Sequence, residues 1–123
     1  MRVALSKSFT FDAAHRLPTF PEGHKCRRLH GHSFRVEVQV EGEVNPQRGY
    51  LLDYNDIQAA CEPVRKSLDH YYLNEIAGLE NPTAENLARW IWERLRPAIP
   101  LLAAVVVQET CTSGCEYRGL ERA

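Results

Sequence analysis

Strict alternation of apolar and polar residues over two stretches of the N-terminal third restricts this chain most, because each alternating face runs out into histidine. Val3, Leu5, Phe9, Phe11 and Ala13 hold odd positions, with Lys7 the exception. Phe34, Val36, Val38 and Val40 hold even positions, interleaved with Arg35, Glu37, Gln39 and Glu41. A period of two describes a strand with one face buried. Extending the first face forwards reaches His15; running the second backwards reaches His32 and His30, with Gly31 leaving the opposite side uncrowded. Three imidazoles are therefore expected at the ends of the inward faces of two neighbouring strands.

That grouping carries chemistry. A lone histidine on an apolar face is as readily a hydrogen-bonded core residue as a ligand, but three meeting at equivalent strand ends favour a metal. Three protein ligands with a position left open is the arrangement of a catalytic zinc site rather than a closed structural one. A thiol, Cys26, lies close by in Cys26-Arg27-Arg28-Leu29-His30-Gly31-His32. Imidazole and thiolate both suit zinc, so ligand type alone leaves open whether Cys26 binds the metal or acts beside it. Ligating imidazoles also need an acceptor for their second N–H.

The remaining composition narrows the class. A chain of 123 residues is expected to form one domain over 1–123. A formal charge of -1, from 15 basic and 16 acidic residues, gives no global pull toward nucleic acid or membrane. No apolar run approaches the roughly 20 residues of a spanning helix, and no signal-peptide core is present, so a cytoplasmic location is expected. The four cysteines, Cys26, Cys61, Cys111 and Cys115, read as reduced thiols in such a compartment. Cys111 and Cys115 lack a second pair to complete a four-thiolate zinc site.

The order reads strand, strand, helix, helix, strand, strand. Asn45-Pro46 centres a polar turn after the second strand. Ile57, Ala60, Cys61, Val64 and Leu68 fall at helical spacing, with Pro63 expected to kink the helix or restrict it to shorter pieces. Thr83 fits the N-cap of a second helix with a stripe of Leu87, Ile91 and Leu95, ended by Pro97 and Pro100. Val105-Val106-Val107 suits a central strand over Ala103 to Thr110, Gly114 marks a turn, and Glu116 to Leu120 reads as a short last strand. Glu109 shares the parity of Val105 and Val107, which sets a carboxylate at the end of an inward face. Such a group is costly unless paired. This is an α+β pattern: a four-stranded antiparallel sheet with two helices on one face, whose bare edges call for oligomerisation.

Several motifs in order make the chain recognisable. Phe11-Asp12-Ala13-Ala14-His15-Arg16-Leu17-Pro18, Gly23-His24-Lys25-Cys26, Leu29-His30-Gly31-His32-Ser33-Phe34, Leu68-Asp69-His70, Leu79-Glu80-Asn81-Pro82-Thr83 and Glu109-Thr110-Cys111-Thr112-Ser113-Gly114-Cys115-Glu116-Tyr117-Arg118-Gly119 together resemble the 6-pyruvoyltetrahydropterin synthase superfamily. Within it they resemble most the bacterial carboxy-forming branch of queuosine biosynthesis. The resemblance implies the tunnelling fold, in which three subunits close a barrel and two trimers stack into a hexamer with active sites between subunits. Barrel closure removes sheet edges.

By that resemblance His15, His30 and His32 are zinc ligands, and Cys26 is the general base. Asp69 and His70 form a dyad that relays or orients protons from a neighbouring subunit. Glu109 anchors a pterin ring, with Thr83 helping, and Lys25 is the best candidate for a counter-charge to triphosphate. The implied reaction is a lyase step on 7,8-dihydroneopterin triphosphate, giving 6-carboxytetrahydropterin, acetaldehyde and triphosphate. The sister reaction eliminates triphosphate and keeps the two-carbon unit. The three residues between Cys26 and His30 and the Cys-Thr-Ser-Gly-Cys ending look like the carboxy-forming branch. A relative that acts as an aldolase carries Glu in place of the catalytic Cys, and Cys26 argues against it. A zinc-stabilised binding protein without catalysis is the remote alternative, opposed by the presence of Cys26, Asp69 and His70.

Overall fold

The computed structural model describes residues 1–110 and 112–119. Four antiparallel strands lie in the order β1 (Arg2–His15), β2 (His30–Glu43), β3 (Leu102–Thr110), β4 (Ser113–Tyr117), with α1 (Tyr54–Leu68) and α2 (Ala84–Leu95) between the second and third. No helix among the described residues is long and apolar enough to cross a membrane.

The two alternating stretches do become partners. β1 and β2 pair without interruption from Arg2 opposite Glu43 to His15 opposite His30. This register places Phe11 against Phe34, their rings stacked at 5.0 Å, and sets Ala13 beside His32. Phe34, Val36, Val38 and Val40 are fully buried, as the period of two requires.

The helices close over that face. Ile57, Cys61, Val64 and Leu68 form the buried stripe of α1; Leu87, Ala88, Ile91 and Leu95 form that of α2, with Trp90 beside it. Burial raises the Cys61 thiol to about 11, which fits a small core residue. Asp53 caps α1 by accepting the Asn55 N–H at 2.8 Å, and Thr83 caps α2 by accepting that of Asn86 at 3.1 Å.

Three sequence expectations are corrected. Helix α1 runs as one element through Pro63 rather than in shorter pieces. Pro63 and Ala59, the residue whose carbonyl loses its partner, are both exposed, so water can take the lost bond. The last strand begins at Ser113, not Glu116, and ends at Tyr117, so Gly114 lies inside it opposite Gln108. A Cβ there would stand 2.9 Å from Gln108 Cγ; the glycine serves close approach rather than a turn. Cys111 and Leu120 lie outside the described residues. Third, β3 begins at Leu102, one residue before the expected Ala103. Gln39 pairs with Ala104 and Val40 with Leu102, which makes Ala103 an extra residue and turns Leu102 inward.

Candidate functional site

His15, His30 and His32 converge. One ring nitrogen from each lies within 4.8 Å of the others, a direct consequence of the β1–β2 register. Their second nitrogens explain the orientation. His15 Nδ1 donates to the Pro82 carbonyl at 2.9 Å, and His30 Nδ1 donates to the Arg28 carbonyl at 2.7 Å. Those bonds fix the tautomer and leave Nε2 as a lone-pair donor in both rings. Nε2 of His15 and Nε2 of His32 are buried with no hydrogen-bond partner. Burial pushes His15 down to about 4 and lowers His32 as well, with the neighbouring imidazoles adding to the effect and Glu109 opposing it at His32. Neutral rings with unpartnered nitrogens suit a soft or borderline divalent cation, so the cluster can hold a metal.

A cavity of about 500 Å³, lined among others by Leu17, Phe20, Cys26, Thr83, Glu109 and Cys115, adjoins this cluster through Glu109, while the three histidines are not part of its lining. Each element contributes for a local reason. Cys26 sits in a short 3-10 turn, Lys25–Arg27, in the loop from β1 to β2. Thr83 is at the head of α2, its hydroxyl oxygen engaged as the cap. Glu109 occupies a second bulge of β3: Gln108 pairs with Gly114 and Thr110 with Ser113, so Glu109 is the extra residue. A bulge re-aims a side chain and terminates regular pairing, and here it delivers a half-buried carboxylate to within 3.8 Å of His32 Nε2.

Asp69 and His70 also meet, but elsewhere. Asp69 Oδ2 lies 3.0 Å from His70 Nδ1, and Asp69 Oδ1 accepts the Asp12 backbone N–H at 3.0 Å. The Asp12 N–H and then His70 hold the Asp69 carboxyl below the usual range. His70 has φ of 63° and an imidazole 78% exposed. It lines a second groove of about 570 Å³ with Asp12, Gly31, His32 and Tyr71 among others, which Cys26 does not line. Lys25 is exposed and lines neither space.

Sequence reasoning missed three contributors. The Pro82 carbonyl gives no signal in a sequence, because any residue has one. Asp12 acts through its backbone. Cys115 lines the cavity opposite Val107; its parity with Tyr117 would have placed it inward once β4 was started at Ser113.

Residues 4–120 match the family described as 6-pyruvoyl tetrahydropterin synthase. A 6-carboxy-5,6,7,8-tetrahydropterin synthase from a Synechocystis strain is 48% identical over 117 residues, covering 90% of this chain and 89% of that one. A dihydroneopterin monophosphate aldolase from Pyrococcus furiosus is 40% identical over 100 residues, 81% of each chain. The structure of the Caenorhabditis elegans 6-pyruvoyl tetrahydropterin synthase superposes with a TM-score of 0.89 at 26% identity, covering 98% of this chain and 97% of that one.

Proposed function

The chain belongs to the 6-pyruvoyl tetrahydropterin synthase family, and from that premise we propose that it is a zinc-dependent lyase. Its substrates are 7,8-dihydroneopterin triphosphate and one water, and its products are 6-carboxy-5,6,7,8-tetrahydropterin, acetaldehyde and triphosphate, a step toward queuosine. The observation that carries this reading is that Cys26, Thr83 and Glu109 line one cavity beside the three convergent histidines.

His15, His30 and His32 would hold the zinc, which supplies Lewis-acid polarisation of side-chain oxygens. Glu109 accepts hydrogen bonds from the amino and ring N–H groups of the pterin, and Thr83 donates its hydroxyl hydrogen, its oxygen being taken by the helix cap. Cys26 takes a proton from the substrate side chain, which needs hydrogen-bond reach in the bound pose. Asp69 orients the His70 ring through Nδ1, leaving Nε2 free to hold or return a proton. Because Cys26 and His70 border different spaces of one chain, the dyad is proposed to reach Cys26 from a neighbouring subunit. Among the described residues β1 and β4 are the edge strands, and β1 is covered only near its end, where Ala14 bridges to Tyr72, so the remaining edge offers a means of closing such a barrel. Lys25, exposed and unattached to either space, is the proposed counter-charge to triphosphate.

Mass spectrometry of the products from zinc-loaded protein and 7,8-dihydroneopterin triphosphate tests the reading. Carboxytetrahydropterin with acetaldehyde supports it. A pyruvoyl product assigns the sister activity, for which the C. elegans fold match speaks. No turnover with zinc bound assigns a binding protein.

A further inference from the structure

Cys26 belongs to neither a sheet nor a long helix. A side chain on such a segment is only as well placed as its loop is stiff, and two neighbours stiffen this one. His24 occupies the N-cap of the 3-10 turn, and its Nδ1 accepts the Cys26 backbone N–H at 3.0 Å. The same ring lies against Phe20, centroids 4.5 Å apart. Arg27 reaches back across the loop, its Nη1 donating to the carbonyls of Pro18 at 3.1 Å and Phe20 at 3.0 Å. The Leu17 N–H donates to the Cys26 carbonyl at 3.0 Å, which closes the frame. Leu17 is buried, and with Phe20 it lines the cavity that Cys26 lines.

We propose that His24 and Arg27 are positioning residues that hold the Cys26 thiol in the cavity shared with Thr83 and Glu109. Both backbone polar groups of Cys26 are engaged, the N–H by His24 and the carbonyl by Leu17. The usual caps are Ser, Thr, Asp and Asn; a histidine does the same work while packing its ring on a cavity wall. Arg27 joins two carbonyls through one guanidinium nitrogen, which ties the outgoing arm of the loop to the returning one. A flexible lysine ammonium holds such a geometry less firmly. The inference rests on the reading of Cys26 as the proton acceptor, and neither residue contacts the reacting atoms.

The test compares His24→Ala, His24→Asn, Arg27→Lys and Cys26→Ala in the full zinc-loaded protein. It measures zinc per chain, kcat and KM with 7,8-dihydroneopterin triphosphate, and the rate of iodoacetamide alkylation located at Cys26 by peptide mass spectrometry. In His24→Ala, zinc and KM are expected to hold while kcat falls about tenfold or more, the scale of a misplaced reacting group. The loosened thiol should alkylate about threefold faster or more, as expected when local opening becomes easier. His24→Asn, whose Oδ1 can accept the same N–H, should keep most of the wild-type kcat, and Arg27→Lys should keep only part of it. Wild-type kcat and alkylation in His24→Ala overturns the proposal. Equal impairment of His24→Ala and His24→Asn, or loss of zinc in both, overturns it too and leaves the loop a structural role. Turnover surviving in Cys26→Ala instead overturns the catalytic reading of Cys26, and the alkylation rates still decide whether His24 and Arg27 hold the thiol.

Discussion

The Glu109 carboxylate stands 3.8 Å from Nε2 of His32, a nitrogen with no hydrogen-bond partner of its own. That spacing is too long for a hydrogen bond and short enough to join the histidine cluster to the cavity electrostatically. A metal on the histidines would therefore lie close to a group held by this carboxylate.

Glu109→Gln should keep zinc and folding but weaken substrate binding. Replacing a charge-assisted pair by a neutral one is expected to raise KM by about 10- to 100-fold, the scale of hydrogen bonds to charged groups. Metal analysis beside steady-state kinetics checks this. Loss of zinc in Glu109→Gln would make the carboxylate a metal residue instead.

His30→Ala and Cys26→Ala should separate binding from chemistry. The first removes one of three convergent imidazoles and should lose zinc. The second should retain one zinc per chain and lose turnover, by about 100-fold or more for a general base. Zinc titration with a chromophoric chelator distinguishes them, and parallel zinc loss in both would place the thiol among the ligands.

Acid should destabilise the metal-stripped protein through His15. Its folded value is about 4 against an ordinary 6.5, set mainly by burial. The unfolded chain therefore binds the proton first as the pH drops. The stability that the neutral ring allows is full above about pH 6.5 and is lost on the way down to about 4, by about 3 kcal/mol. His32 shifts in the same direction. Urea titrations across that range should show the fall for the wild type and a shallower one for His15→Phe; identical slopes would refute the assignment.

His70 stores backbone strain, with φ of 63° in a residue other than glycine. His70→Gly should be as stable as the wild type or up to about 1 kcal/mol more so, because glycine adopts this conformation freely. Turnover should nevertheless collapse with the imidazole gone. Denaturation midpoints and kcat from one preparation test both halves, and a marked loss of stability would mean that the ring is structural.

Much of the scaffold was legible because burial writes a period into sequence. The β1–β2 faces and the stripes of α1 and α2 needed only local spacing, and the grouping of His15, His30 and His32 followed from strand parity. What local spacing cannot encode is register against a partner. The extra residues Ala103 and Glu109, the start of β4 at Ser113 and the close approach at Gly114 all depend on which residue lies opposite. Pro63 does not divide α1 because it and Ala59 are both exposed, where water can take the lost bond. The division of Cys26 and His70 between two spaces is a three-dimensional fact, and their roles rest on family resemblance.

The bulge at Glu109 has an evolutionary reading. A bulged residue has no directly opposed neighbour across the strands, so its side chain can be exchanged without disturbing a cross-strand pair, while Gln108 and Thr110 keep the sheet in register. Scaffold and specificity are then inherited semi-independently at this point. If Glu109 is the anchor proposed above, a single codon would change what the cavity recognises while the sheet keeps its register.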